Sequence, residues 1–262
     1  MNFRNILVEK KNRAAWITLN RPKHRNQLSA ELLRELAEAL VETSSDPNIL
    51  VVILYGGPGK AFCAGADVSG LRDAKNIPVL HRREFLNDFV EILKIFKQLD
   101  KPTIAAVNGH ATGGGAGLIM ACDFAIMSDQ AKIGFPEIRV GFIPAIVLVN
   151  LMRLLPRRTV VELVFTGKML TAKEAKEIGL VNNVVPKEQL IQEVEEIAKS
   201  LSAQSPVAIK LTKELMRTIE HMDFDQALAY ASDMNVISQL TEDFSEGVKA
   251  FLEKRPPEWT GK

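Results

Sequence analysis

Residues 108–123, NGHATGGGAGLIMACD, place five glycines in and around one loop and then run into an apolar, alanine-containing segment. From Gly113 to Gly117 the loop offers only glycine and alanine, so the chemistry available there belongs to the main chain. About 50 residues earlier, VVILYGGPGKAFCAGADV follows the same order: a buried-strand pattern, a glycine turn, a small-residue loop and a helix start. The first amides of a helix lack intrahelical partners and carry the positive end of the helix dipole. Ala66 and Asp67 are expected to open one such helix, and Gly114 and Gly115 the other. Two loops of this kind on neighbouring parallel strands would aim N–H groups at one point, where an oxygen gaining negative charge is held. Losing one donor from such a hole costs about 3–4 kcal/mol of transition-state stabilisation. In a single loop the glycines would serve equally well for tight turning, and it is the repetition that favours the donor reading. Two nucleotide motifs fail on spacing: from Gly113 and Gly115 a G-x-G-x-x-G pattern ends on Leu118, and a P-loop ending at Gly59 would begin on Leu54 and place Ala61 after Lys60.

The elements that must carry these loops follow from periodicity. AAWITLN (14–20) reads as a strand, and Ser29 caps a helix whose Leu32, Leu33, Leu36 and Leu40 share one face. NILVVILYGG (48–57) and KPTIAAVNG (101–109) are continuous apolar runs, as in strands buried on both faces, and Phe85, Phe89, Ile92, Phe96 and Leu99 between them recur at helical spacing. Strands alternating with helices imply parallel pairing and an α/β layered core. Thr171 and Glu174 form a capping-box spacing before a helix that stops at Gly179. From about residue 187 only helical patterns remain. No fixed-period repeat stands out.

The stretches NRPKHRNQLS, AFCAGADV, KPTIAAVNGHATGGGAGLIMACDFAIMSD, IGFPEIRVGFIPA, FTGKMLTAKEAKEIGLVNNVVP and AFLEKRPPEW occur in this order and cover nearly the whole chain. Together they resemble the crotonase, or enoyl-CoA hydratase/isomerase, superfamily. The resemblance implies an α/β spiral of repeated ββα units over residues 1–186, with the acyl-CoA site, and an all-helical region over 187–262 that builds a homotrimer or a dimer of trimers. It implies an acyl-CoA thioester whose enolate rests on the amides of Ala66 and Gly114, flanked by Ala64, Gly65, Asp67 and Val68. Hydratases of the family carry two glutamates, one three residues after the middle glycine of GGG and one in a later Pro-Glu pair. Here the first position is Gly117 and the second is Glu137, in FPEIRVG. Glu137 is then the single acid/base, and its apolar neighbours Phe135, Ile138 and Val140 are expected to raise its pKa by withholding water.

Hydration across the 2,3 double bond is the leading reaction. A Δ3-Δ2 isomerase, an acyl-CoA decarboxylase and a non-catalytic CoA-binding scaffold are the alternatives. Ala145, where family dienoyl isomerases carry an aspartate, argues against that reaction, and FIPAIVLVNL departs from the Gly-rich IPGAGGTQRL of short-chain hydratases and resembles a subgroup of bacterial hydratases that includes ones acting on branched, methylglutaconyl-type substrates. Asp67 and Asp123 are expected to be structural hydrogen-bonding partners.

Coenzyme A enters as part of the substrate, and no separate cofactor is expected. Its phosphates need local cations, for which Lys23 and Arg25 in the RPKHRN turn are candidates, while the resemblance assigns Phe251 and Lys254 to a neighbouring subunit's ligand. The lysine that relatives often place three residues after the hole alanine is Ser69 here. The 33 Lys+Arg and 32 Asp+Glu give a net charge of +1, which leaves no bulk field for nucleic acid or an anionic membrane. The opening residues show no apolar leader, no run suits a membrane span, and Cys63 and Cys122 are the two cysteines, so a reducing cytoplasm is expected. Cys63 lacks a histidine partner and should pack as a small hydrophobe. His24, His81, His110 and His221 show no metal-ligand spacing, and no metal site is expected.

Overall fold

The computed structural model describes residues 3–67 and 78–262. The chain opens with the hairpin β1 (Ile6–Lys11) and β2 (Ala14–Leu19), a 3-10 turn over Pro22–His24, and α1 (Ala30–Ser45). The side chain of Ser29 accepts from the Leu32 amide at the start of α1, and Leu32, Leu33, Leu36 and Leu40 are buried along it, as the spacing predicts.

Three successive turns of one pattern then follow. β3 (Val51–Tyr55), β4 (Ala61–Cys63) and α2 (Val79–Gln98) make the first. β5 (Thr103–Val107), β6 (His110–Thr112) and α3 (Gly114–Ala121) make the second. β7 (Phe124–Ser128), β8 (Lys132–Gly134), a 3-10 turn over Pro136–Val140 and α4 (Ala145–Leu154) make the third. In every turn the first strand joins one sheet and the second strand joins another. α5 (Arg157–Thr166), β9 (Met169–Thr171), α6 (Ala172–Glu177) and β10 (Asn183–Val185) complete the two sheets, ordered β1-β2-β3-β5-β7-β10 and β4-β6-β8-β9. All pairings are parallel except β1 with β2 and β8 with β9.

The larger sheet is buried on both faces, which explains the unbroken apolar runs. Val52 and Leu54 of β3 and Ala105 and Val107 of β5 point into the main core, while Ile53, Ile104 and Ala106 point the other way. That second face is covered by α7 (Leu190–Ser202) through Leu190, Val194 and Ala198, one helical turn apart. The smaller sheet alternates differently: Phe62, Ala111, Ile133 and Leu170 face the core, and Ala61, His110, Thr112, Lys132 and Met169 face a groove.

The remaining helices are α8 (Pro206–Ile219), capped by Ser205, α9 (Phe224–Gln239) and α10 (Glu242–Glu253). Residues 187–189, at the head of the region expected to be helical, form a 3-10 turn before α7. α10 ends at Glu253, and Lys254 is its left-handed cap at φ 55°.

Candidate active site

The two halves of the donor pair are built differently. Gly114 is the first residue of α3, and Gly113 precedes it at φ 53°, ψ −119°, a backbone that only glycine adopts without strain. Gly113 is itself fixed by its amide, which donates to the Gly134 carbonyl on β8 at 3.0 Å. Ala66 and Asp67 are not helical: Ala66 forms a parallel bridge with Leu28. In that bridge the Leu28 amide donates to Gly65 O at 2.8 Å and the Asp67 amide donates to Leu28 O at 3.4 Å, so the Ala66 N–H points away from Leu28. The helix expected to open there lies over residues outside the described ones, as does Val68. Among the described residues neither the Ala66 nor the Gly114 amide donates a backbone hydrogen bond. Gly65, at φ 76°, brings the halves together: a Cβ on it would lie 2.7 Å from the Thr112 carbonyl oxygen and 3.4 Å from the Gly114 nitrogen.

Glu137 sits in the 3-10 turn Pro136–Val140, half-buried against the same loop. A Cβ on Gly113 would stand 2.7 Å from its Oε1, so the bare loop makes room for the carboxyl as well as supplying the amide. Among the described residues its Oε2 is buried without a hydrogen-bond partner. Burial pushes the Glu137 pKa above the ordinary glutamate value of 4.5, opposed by a hydrogen bond from its own backbone.

At Gly117 the structure closes the space where a second carboxylate would emerge. A Cβ there would meet Val147 Cγ1 of α4 at 2.8 Å and Phe89 Cζ of α2 at 3.0 Å. Neither apolar side chain can accept a proton. Asp123 is structural, as expected: its Oδ2 accepts from the Thr103 amide and hydroxyl, each at 2.8 Å, and from Lys213 of α8. Asp67 adjoins the hole through the Leu28 bridge. Cys63 is fully buried and its thiol is pushed up to about 12, so it packs as a hydrophobe.

A groove of about 930 Å³ is lined by Ala64, two residues before Ala66, and by Pro136, the residue before Glu137. Of the two cations expected from the RPKHRN turn, Arg25 lines it, whereas Lys23 is exposed and is not one of its walls. The structure adds Lys60 and Lys132, which sequence reasoning missed. Lys60 precedes β4, and Ala61 pairs with His110, which neighbours Lys132 across the sheet, so spacing along the chain gave no sign of their proximity. His110 Nδ1 accepts the Lys132 amide at 3.1 Å, which leaves Nε2 to carry the hydrogen. Among the described residues no aspartate or glutamate lines the groove. Phe251, 82 % exposed, and Lys254 belong to α10 and its cap and take no part in the groove of their own chain. Among the described residues no cluster of three His, Cys, Asp or Glu is arranged to hold a metal, and no helix is long and apolar enough to cross a membrane.

The sequence profile described as enoyl-CoA hydratase/isomerase matches residues 9–262, and the chain belongs to that family. It is 37% identical to a putative enoyl-CoA hydratase of Thermus thermophilus, over 96% of this chain and 99% of that one. It is also 37% identical to a short-chain-enoyl-CoA hydratase of Clostridium acetobutylicum, over 97% of each. The solved enoyl-CoA hydratase of Bacillus anthracis superposes with a TM-score of 0.93 at 36% identity, covering 99% of this chain and 100% of that one.

Proposed function

We propose that Glu137 alone performs the proton chemistry of hydration on a thioester held by the Ala66 and Gly114 amides. The chain is an enoyl-CoA hydratase, adding water across the 2,3 double bond of an acyl-CoA thioester. The observation that carries the single-carboxyl reading is the buried Oε2 of Glu137, without a hydrogen-bond partner among the described residues, while Val147 and Phe89 close the space at Gly117. With the thioester oxygen in the hole, the neutral carboxyl gives its proton to C2 from one oxygen while the other accepts a proton from the water attacking C3. The carboxyl ends as neutral as it began, the hydroxyl is on C3, and no second base is required. The amides stabilise the enolate oxygen that develops between the two bond-making events.

Arg25, Lys60 and Lys132 supply the cations for the coenzyme phosphates, supported by their place along the groove with no carboxylate among its described lining residues. Coenzyme A is part of the substrate, and no further cofactor is invoked. Phe251 and Lys254 act across a subunit boundary in a homotrimer or a dimer of trimers, supported by their outward position on α10 and its cap. Two free thiols suit a reducing cytoplasm.

One observation favours a second reaction: Gly117 leaves a single carboxyl, which is all that shuttling a proton from C2 to C4 demands, so the same site can act as a Δ3-Δ2 isomerase. Incubation with trans-2-butenoyl-CoA and, separately, with its 3-enoyl isomer, followed by mass analysis, tests the assignment. A gain of one water on the 2-enoyl substrate is expected. Interconversion of the two with no gain of mass would replace hydration with isomerisation.

A further inference from the structure

We propose that Asn26 is a positioning residue that sets the direction of the Ala66 amide, an inference that rests on the reading of that amide as half of the oxyanion hole. Residues 25–28 lie alongside 62–67 and make a short run of contacts with them. The Arg25 carbonyl accepts from the Ala64 amide at 3.1 Å, and Leu28 exchanges bonds with Gly65 and Asp67. Between these main-chain contacts the backbone bulges at Asn26, whose φ is 54°, and its side chain supplies the missing step. Asn26 Nδ2 donates to Gly56 O at 2.8 Å and to Phe62 O at 2.9 Å, and its Oδ1 accepts from the Arg21 amide at 2.9 Å. The side chain is therefore bonded to the start of the β3–β4 loop, to β4 and to the turn that carries Arg25. It is 2 % exposed, so water does not substitute for these bonds.

The consequence runs in one direction along the chain. Phe62 is four residues before Ala66, and Gly65 between them is pressed against Thr112 and the Gly114 nitrogen. Anchoring Phe62 fixes where β4 delivers Gly65, and the Leu28 bridge, anchored by the same turn, fixes which way the Ala66 N–H points. Asn26 touches neither hole amide nor Glu137; it acts by holding the strand that carries one donor. Only a short side chain with both a donor and an acceptor, on a residue tolerant of positive φ, makes all three contacts, and asparagine fulfils each condition.

The test compares Asn26→Asp, which keeps the shape and the acceptor but removes the donors, with Asn26→Gly, which keeps the backbone conformation and removes the clamp. The readouts are kcat and KM for trans-2-butenoyl-CoA and the infrared stretch of the thioester carbonyl in bound, carbon-13-labelled butyryl-CoA, which cannot be hydrated. Wild-type protein should lower that frequency on binding. In either variant that folds, the lowering should shrink, with kcat reduced by about 10- to 100-fold, within the loss caused by removing a hole donor outright, and with KM changed by no more than about twofold. A variant that folds and keeps the full carbonyl shift, or that raises KM with kcat intact, overturns the role of Asn26. If the wild-type protein itself fails to shift the carbonyl, the hole reading falls, and the proposal with it.

Discussion

At Glu137 catalysis and stability pull against each other, and the sign of the pKa shift says how. A carboxyl whose pKa is raised in the folded state binds its proton more tightly there than in the unfolded chain. The fold therefore loses stability as pH climbs from the ordinary value of 4.5 through the raised one, and above that it carries the desolvation of a charged, poorly partnered carboxylate. Glu137→Gln removes this load. Chemical denaturation at neutral pH should show the variant at least as stable as the wild type, with the difference vanishing below pH 4, while hydration falls by about 10²–10⁴-fold. A variant less stable at neutral pH would mean that the carboxylate has partners in solution that compensate its burial. The same logic fixes the pH profile of the reaction. Hydration through a neutral carboxyl has a descending limb in kcat/KM as pH rises through the raised pKa, and a limb that ascends there instead would show that the carboxylate is the working form. Gly113 is the other position where one atom decides the outcome. A methyl at φ 53° and 2.7 Å from Glu137 Oε1 displaces the carboxyl, so Gly113→Ala should lose more activity, measured as kcat on folded protein, than the roughly 1 kcal/mol of backbone strain would suggest.

The elements show why some of this was legible before the structure and some was not. The buried strands β3 and β5, the Ser29 cap of α1 and the Thr171–Glu174 capping box all follow from local chemistry, and each occurs where the residues put it. The second strand of every repeat is three residues long, too short for an alternation to register, and it read as loop. Because β4, β6 and β8 are what place Lys60, His110 and Lys132 on one face, the cationic groove went unseen along with them. The roles of Glu137 and the two amides were assigned through motif resemblance, since nothing in the composition of FPEIRVG singles out a catalytic carboxyl. The raised pKa of Glu137 was expected from its apolar neighbours, of which Phe135 is buried while Ile138 and Val140 are exposed; the closed Gly117 wall is a property of packing between α2, α3 and α4, which no local pattern encodes. One tertiary tie also lay beyond sequence reasoning, which expected a hydrogen-bonding role for Asp123 and could not name its partner 90 residues away. Lys213 of α8, its side chain only 12% exposed, bonds Asp123 at the head of β7 and so fastens the C-terminal helices to the large sheet. Asp123→Asn should lower stability by about 3 kcal/mol in urea unfolding, because it leaves a largely buried ammonium without its counter-charge, while kcat per folded molecule stays at the wild-type level.

Across the whole molecule charge and apolar surface are segregated. The net charge is +1, yet the groove gathers Arg25, Lys60 and Lys132 with no acid among its described lining residues, so attraction for an anionic substrate is local. The opposite imbalance appears on α9 and α10, where Leu228, Val236, Leu240, Phe251 and Leu252 are 55–82 % exposed. Apolar side chains at this density on two adjoining helices and the cap of α9 are the kind of surface another protein face covers, and the proposed trimer would supply a second copy of this chain. A single charge placed there distinguishes a covered face from a merely exposed one. On a solvated helix, Leu240→Asp is close to neutral, whereas in a subunit interface it buries an unpaired carboxylate. Sedimentation velocity should show the wild-type protein as a trimer or hexamer and the Leu240→Asp variant shifted toward monomer. If Phe251 and Lys254 serve a neighbour's ligand, that dissociation also strips each groove of contacts its own chain cannot supply. KM for the enoyl-CoA should then rise at low protein concentration and recover as concentration drives reassembly, with kcat unchanged because Glu137 and both amides lie within one chain. A variant that stays assembled, or one that dissociates with KM unaltered, would assign those two residues to the fold of α10 rather than to the substrate.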